Sequence, residues 1–167
     1  MDNSVFDDVV AGNERFAESY HEPGMSGRAA KHLALITCMD SRIDPLSVLG
    51  MKSGDMKILR NAGARVTDDV LRTLVLAAYL LDVNRIIVMP HTDCRMAKST
   101  EAEVHQSILD STGVDTRSLE FRTIDDPLET LKSDVQRIRS YPYMPGNVVV
   151  AGGMYDVHTG KLTIYDS

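Results

Sequence analysis

The stretch "TDDVLRTLVLAAYLLDVNRIIVMPHTDC", residues 67–94, contains a helix pattern followed directly by a strand pattern. Apolar residues recur at helical spacing from Val70 to Leu81, after Thr67 as a candidate N-cap and two aspartates in the first turn. The segment "RIIVM", residues 85–89, is a short β-branched run of the kind that forms a buried strand. The stretch therefore predicts a helix over residues 67–82 that leads into a strand of a parallel sheet.

The same alternation extends to both sides of this stretch. It predicts further strands at residues 33–37, 56–59, 118–124 and 147–155, and further helices at residues 99–112 and 125–140. We therefore expect an α/β fold with a central, mostly parallel β-sheet of about five strands flanked by helices. The segment "KLTIYDS", residues 161–167, is a candidate hairpin partner of the last strand, because "HTG" before it is a turn signal.

The N-terminal segment precedes the first predicted strand. Residues 5–20 have helical spacing but contain Gly12, which favours a helical arm that packs outside the sheet or on another subunit. Residues 21–30 are rich in glycine and proline and are predicted to form a loop. We expect residues 1–167 to form a single domain, with 1–30 as arm and loop and 31–167 as the α/β core.

Composition limits the classes of partner. The formal charge is −6 and the sequence pI about 5.3, which argues against nucleic acid or an anionic membrane as a partner. No apolar stretch approaches the about 18 residues of a membrane span, and the acidic N-terminus lacks the pattern of a secretion signal. We therefore expect a cytoplasmic protein in which the two cysteines, Cys38 and Cys94, are free thiols.

Polar clusters follow the first and third predicted strands. They are "TCMDSRIDP", residues 37–45, and "PHTDC", residues 90–94. In the common strand order 2-1-3-4 these two strands are neighbours where the winding reverses, and ligand sites lie at the carboxyl ends of strands at that point. We therefore expect Cys38, His91 and Cys94 to share one crevice.

The residue types in this crevice favour a metal. Two thiolates and an imidazole suit zinc, and three protein ligands with an open position are typical of a catalytic site. Asp40 is the nearest candidate for the fourth position. Two other interpretations remain open: a cysteine at a strand end is often a small buried hydrophobe, and one cysteine with a histidine can form a nucleophilic pair.

Two neighbouring motifs add candidate site residues. Asp40 and Arg42 lie two positions apart, so the guanidinium can keep the carboxylate ionised and oriented toward a metal-bound water. The alternative is an ordinary surface ion pair. Gly63, between Ala62 and Ala64, would let the backbone approach a small substrate, although a turn alone would also explain this glycine.

These motifs together resemble a known family. "CMDSR" (38–42), "RNAGARVTDDVLRTL" (60–74) and "HTDC" (91–94), in this order and separation, are similar to the β-class carbonic anhydrases of the short prokaryotic type. The resemblance implies a zinc lyase that hydrates carbon dioxide reversibly to bicarbonate and a proton, through attack of a zinc-activated hydroxide. It also implies a homodimer, in many members a tetramer, in which N-terminal helices embrace the partner.

The resemblance also implies residue roles. Cys38, His91 and Cys94 would hold one Zn²⁺ per subunit, and Asp40 with Arg42 would form the catalytic pair beside it. In some members the aspartate instead moves onto zinc and closes the site, which makes Asp40 a candidate fourth ligand.

The sequence departs from the family pattern directly after the second cysteine. Arg95 stands where glycine is usual, and we hypothesise that its side chain lies on the rim, because burial of an unpaired guanidinium is costly. With Gly63, it is a candidate substrate-binding residue. Two other functions remain open: hydrolysis of CS2 or COS, and a catalytically silent zinc scaffold, against which Asp40 and Arg42 argue.

Overall fold

The computed structural model describes residues 3–21 and 24–165. Its helices are α1 (Asp7–Glu18), α2 (Pro45–Val48), α3 (Asp68–Leu80), α4 (Glu101–Thr112) and α5 (Pro127–Arg139). Its strands are β1 (Leu33–Cys38), β2 (Met56–Asn61), β3 (Arg85–Met89), β4 (Val149–Tyr155) and β5 (Leu162–Tyr165). Short 3-10 turns cover Asn3–Phe6, Ala62–Ala64 and Arg95–Ala97.

The strands form one five-stranded sheet in the order β2-β1-β3-β4-β5. The first four are parallel, and β5 pairs antiparallel with β4. The predicted α/β fold, its mostly parallel sheet and the order 2-1-3 of the first three predicted strands are therefore confirmed. The place beside β3 is taken by β4, the strand predicted at residues 147–155. The hairpin predicted at the C-terminal end is confirmed through Tyr165; residues 166 and 167 lie outside the described part.

β1 is buried on both faces because apolar clusters cover both sides of the sheet at this strand. Ala34 and Ile36 point toward one apolar cluster, which includes side chains of α3 and α5. Leu33 and Leu35 point toward a second cluster on the opposite face. A strand covered on both sides has few polar positions, which explains the continuous apolar run of its sequence.

α3 forms where the opening stretch predicts it. The Thr67 hydroxyl accepts a hydrogen bond from the Val70 N–H at 3.4 Å, which confirms Thr67 as the N-cap. Four members of the predicted apolar stripe are buried: Val70, Leu71, Leu74 and Ala77. The helices predicted at residues 99–112 and 125–140 are confirmed as α4 and α5.

The strand predicted at residues 118–124 is wrong, because this segment is an irregular loop. Its backbone N–H groups bond outside any sheet: those of Phe121 and Thr123 donate to the Glu101 carboxylate at 2.5 and 3.2 Å. Arg122 has φ +59, which interrupts an extended chain. Residues 118–124 therefore alternate in sequence like a strand but form a loop that Glu101 of α4 binds. The fifth strand of the sheet is β5 instead.

α1 stands apart from the core. None of its residues is buried, and Val9 and Phe16 are 61% and 60% exposed. Because α1 lies within residues 5–20, the helix predicted in the N-terminal segment is confirmed. Among the described residues, no helix is both long enough and apolar enough to span a bilayer.

Candidate metal centre

The carboxyl ends of β1 and β3 bring three buried side chains together. Thr37 of β1 pairs with Met89 of β3, so Cys38 and the 90–94 loop leave the sheet side by side. The ligand atoms of Cys38, His91 and Cys94 lie within 4.8 Å of one another. The prediction that these residues share one crevice is confirmed.

The two thiols have the spacing of metal ligands. Cys38 Sγ lies 3.9 Å from Cys94 Sγ, far beyond the about 2.05 Å of a disulfide. Two sulfurs at about 2.3 Å from one tetrahedral metal stand about 3.8 Å apart. The observed separation therefore fits a shared zinc ion.

His91 is oriented with one ring nitrogen toward the thiols. Its Nδ1 lies 2.8 Å from the Thr92 carbonyl oxygen, which can only accept, so Nδ1 carries the proton. Its Nε2 is buried and has no hydrogen-bond partner among the described residues. A buried nitrogen with a free lone pair is costly unless something binds it, and zinc would satisfy it.

The end of β4 fixes the loop that carries His91. The Thr92 N–H donates to the Tyr155 carbonyl at 2.9 Å, and the Tyr155 N–H donates to the Pro90 carbonyl at 3.0 Å. Because main-chain bonds on both sides hold the imidazole in place, the ligand set is preorganised.

The surroundings favour a thiolate at Cys38. A hydrogen bond from the Cys94 thiol is the largest influence that lowers the pKa of Cys38, with further help from the Gly63 and Asp40 N–H groups. The same contact and burial raise the pKa of Cys94. These opposite pKa shifts favour a thiolate at Cys38 and a thiol at Cys94, whose proton a metal cation would displace.

Asp40 and Arg42 form a two-pronged ion pair beside the cluster. Arg42 Nε and Nη2 donate to Asp40 Oδ1 and Oδ2 at 2.9 and 2.8 Å. These hydrogen bonds hold the pKa of Asp40 well below its usual range. Asp40 Oδ2 also lies 3.7 Å from His91 Nε2, so an ionised carboxylate oxygen faces the cluster.

Gly63 contacts a proposed ligand. Its N–H donates to Cys38 Sγ at 3.4 Å, and its φ is +81, a backbone conformation that favours glycine. A Cβ there would meet Met96 and Ile124 side-chain carbons at 3.2 Å. The Gly63 backbone therefore contacts a cysteine sulfur, and its predicted approach to a small substrate stays a prediction.

Sequence reasoning missed Arg60 as part of the site. Its Nε donates to the Cys38 carbonyl at 2.9 Å and its Nη2 to the Asp40 carbonyl at 2.7 Å. These bonds shape the backbone that presents both side chains. The only signal was the position of Arg60 near the end of β2, next to β1.

Arg95 begins the 3-10 turn Arg95–Ala97, and its side chain is exposed. It donates to Ser99 Oγ at 2.9 Å and has no carboxylate partner within the described ranges. Its φ is not positive, so the turn does not require glycine at this position. With Asp40, Ser41, Arg42, Asp93 and Lys98, Arg95 lines an open depression of about 490 Å³.

The fold and this cluster define a metal-binding α/β protein with a zinc-type ligand set. A model of the family described as "Carbonic anhydrase" matches residues 33–116. Beta-carbonic anhydrase 1 of Mycobacterium tuberculosis is 37% identical over 160 residues, covering 95% of this chain and 96% of that protein. A crystal structure of carbonic anhydrase from Streptococcus mutans superposes with a TM-score of 0.92 at 33% identity, covering 99% of this chain and 100% of that one.

The chain belongs to the β-carbonic anhydrase family, and its length fits the short prokaryotic type. The family activity is the reversible hydration of carbon dioxide with zinc, so the chain is an enzyme of the lyase class. A protein named carbon disulfide hydrolase from Saccharolobus solfataricus is also similar, at 31% identity over 156 residues, covering 79% of this chain and 76% of that protein.

Proposed function

We propose that Cys38, His91 and Cys94 hold one Zn²⁺ per subunit for the reversible hydration of carbon dioxide to bicarbonate and a proton. The observation that carries this assignment is the buried His91 Nε2, which lacks a hydrogen-bond partner among the described residues and faces two thiols. The donor set fits zinc rather than a hard cation, because thiolates and imidazole are the ligands zinc prefers.

Bound zinc supplies Lewis-acid chemistry, which lowers the pKa of a water toward about 7 and makes a hydroxide available near neutral pH. The protein contributes orientation. Asp40 Oδ2, which faces the cluster, would accept a hydrogen bond from a water bound there and so orient it toward carbon dioxide. Arg42 holds Asp40 ionised through its two donors, so the carboxylate accepts rather than donates.

The pairing of Asp40 with Arg42 favours the open form of the site, in which the aspartate is no ligand. Both Asp40 oxygens receive hydrogen bonds from the guanidinium. These two bonds would oppose a movement of Asp40 onto the metal as a fourth ligand. In this proposal, Gly63 supports Cys38 through its N–H, and Arg95 lies on the rim of the substrate entrance.

A direct experiment tests the function. We expect the purified protein to contain one zinc per chain and to accelerate carbon dioxide hydration in a stopped-flow assay with a pH indicator. Full zinc occupancy without hydration would instead support a silent scaffold. Because carbon disulfide hydrolases are among the similar proteins, CS2 and COS should be assayed in parallel. Faster turnover of either compound would reassign the substrate.

Replacement of Arg95 by glycine is expected to change kcat/KM for carbon dioxide by no more than about twofold. An exposed side chain whose one side-chain partner among the described residues is Ser99 contributes little to a neighbouring site. Stopped-flow hydration by wild type and Arg95→Gly at equal zinc content provides the measurement, with Arg117→Gly as control for loss of an exposed arginine. A large gain in turnover in Arg95→Gly would contradict rim placement.

We also propose a homodimer in which α1 packs on the partner subunit. The support is an exposed apolar face. Val9 and Phe16 of α1 lie seven positions apart, about two helical turns, and Val5 lies in the 3-10 turn before α1; none of the three is buried. A tetramer would pair two such dimers.

The division into residues 1–30 as arm and 31–167 as core, and the single domain, stay predictions. A cytoplasmic location is proposed because a reducing compartment keeps both cysteines available for zinc.

Phe16→Asp is expected to convert the dimer to a monomer, because a carboxylate in an apolar helix interface is costly to desolvate. Light scattering coupled to size exclusion should show the mass falling from about twice to about once the 18.5 kDa of the chain. Leu119→Asp, at an exposed loop position of similar accessibility (57% against 60%), is the matched control and should keep the wild-type mass. A monomeric wild type would refute the dimer.

A further inference from the structure

Arg42 has a second carboxylate partner that the sequence patterns do not indicate. Its Nη1 donates to Asp93 Oδ2 at 2.8 Å, and its Nη2 donates to the Asp93 carbonyl oxygen at 3.2 Å. Lys98 in turn lies 2.5 Å from the other Asp93 oxygen. The guanidinium is therefore bound on one edge by Asp40 and on the other by Asp93.

A second pair elsewhere in the chain shows what Asp93 adds. Asp115 and Arg117 have the same Asp-x-Arg spacing, and Arg117 Nε and Nη2 donate to Asp115 at 2.9 and 2.6 Å. In both pairs the backbone N–H of the arginine also donates to the aspartate carboxylate, at 2.9 Å for Arg42 and 3.0 Å for Arg117. The Asp-x-Arg pairing is therefore a local loop motif that forms without a neighbouring site.

The two arginines differ in what else holds them. The Arg117 side chain is 76% exposed, and Asp115 is its only carboxylate partner among the described residues. The Arg42 side chain is 43% exposed and is bound by Asp93 as well. A long side chain held at one edge retains rotamer freedom, whereas contacts at two edges fix the plane of the guanidinium.

We propose that Asp93, with Lys98 behind it, is a positioning residue that holds the Arg42 guanidinium against Asp40. Asp93 lies between His91 and Cys94, so the contact ties the Asp40–Arg42 pair to the loop that carries two of the proposed zinc ligands. Through Arg42, the contact would keep the Asp40 carboxylate at a fixed position relative to the proposed zinc ligands. This inference rests on the proposed roles of Asp40 and Arg42.

The backbone at Asp93 supports this role. Asp93 has φ +56, a conformation that most residues avoid and that aspartate, asparagine and glycine tolerate. The turn aims both the carboxylate and the main-chain carbonyl of Asp93 at Arg42. Asp93→Asn is thus a conservative test, because it keeps the backbone conformation and removes the charge, and Asp93→Gly removes the side chain altogether.

The direct readout is the mobility of Arg42 in the zinc-loaded protein. In nitrogen-15 relaxation measurements of arginine side chains, the Arg42 Nε–H signal is assigned by its loss in Arg42→Lys. We expect a higher order parameter for Arg42 than for Arg117 in wild type, a lower one in Asp93→Asn, and a value close to that of Arg117 in Asp93→Gly. Lys98→Met, which leaves the turn unchanged, should lower it less.

The catalytic readout follows from the same variants. We expect Asp93→Asn to keep one zinc per chain and to lose about tenfold in kcat for carbon dioxide hydration, the range typical of groups that orient a metal site. Asp115→Asn is the matched control and should change neither quantity. An Arg42 order parameter that is unchanged in Asp93→Asn and Asp93→Gly, or one that falls without loss of rate, would overturn the proposal.

Failure of the proposed function would look different. If Asp40→Asn left wild-type hydration intact, the role given to Asp40 would be wrong, while the relaxation data would still report whether Asp93 fixes Arg42.

Discussion

Cys38→Ser, His91→Ala and Cys94→Ser are each expected to yield protein with little zinc and no measurable hydration of carbon dioxide. Each change removes one of three donors whose ligand atoms lie within 4.8 Å of one another. A serine hydroxyl does not ionise near neutral pH and is a poor zinc ligand, and alanine supplies no donor. Removal of a residue that is hydrogen-bonded to a zinc ligand lowers zinc affinity about 10- to 100-fold, and we expect removal of a ligand itself to lower it by more.

Elemental analysis after dialysis against a weak chelator measures the zinc that each variant retains. His158→Ala is the control, because His158 lies exposed in the turn between β4 and β5 and should keep both zinc and activity. Circular dichroism of each variant would separate loss of metal from loss of fold. Retention of one zinc per chain by any of the three ligand variants would contradict the assignment of that residue.

The candidate cluster could be predicted from the sequence because it depends on strand ends. Buried parallel strands have continuous apolar runs, so the ends of β1 and β3 are visible where Cys38 and His91 begin polar segments. The strand order then places those ends side by side. Local patterns and one topological rule were sufficient for this part of the site.

The parts that sequence reasoning missed depend on contacts between distant side chains. The 118–124 segment alternates like a strand, yet Glu101 binds two of its N–H groups and Arg122 adopts a positive φ. Arg60 and Asp93 act through hydrogen bonds whose partners lie 20 or more positions away. No local pattern specifies which rotamer a long side chain adopts, so these contacts follow only from the packed structure.

Asp40→Asn is expected to retain one zinc per chain and to lose about a hundredfold in kcat for carbon dioxide hydration. Asparagine has nearly the same shape, so the loop should persist. Asparagine lacks the negative charge of the carboxylate. That charge makes Asp40 a strong hydrogen-bond acceptor for the reacting water and is stabilised by Arg42. Stopped-flow kinetics together with zinc analysis of the same preparation measure both quantities.

Asp115→Asn is the matched control, because Asp115 forms the same Asp-x-Arg pair with Arg117 in an exposed loop outside the cluster. Its hydration rate should equal that of wild type. Loss of zinc in Asp40→Asn would mean that Asp40 is a metal ligand in the resting protein, in contradiction to the open form proposed above. An unchanged rate would show that Asp40 orients nothing in the reaction. If Asp40→Asn retains zinc but hydrates carbon dioxide slowly, Asp40 orients the water without binding the metal, since the substitution would then change the rate and leave the zinc content unchanged.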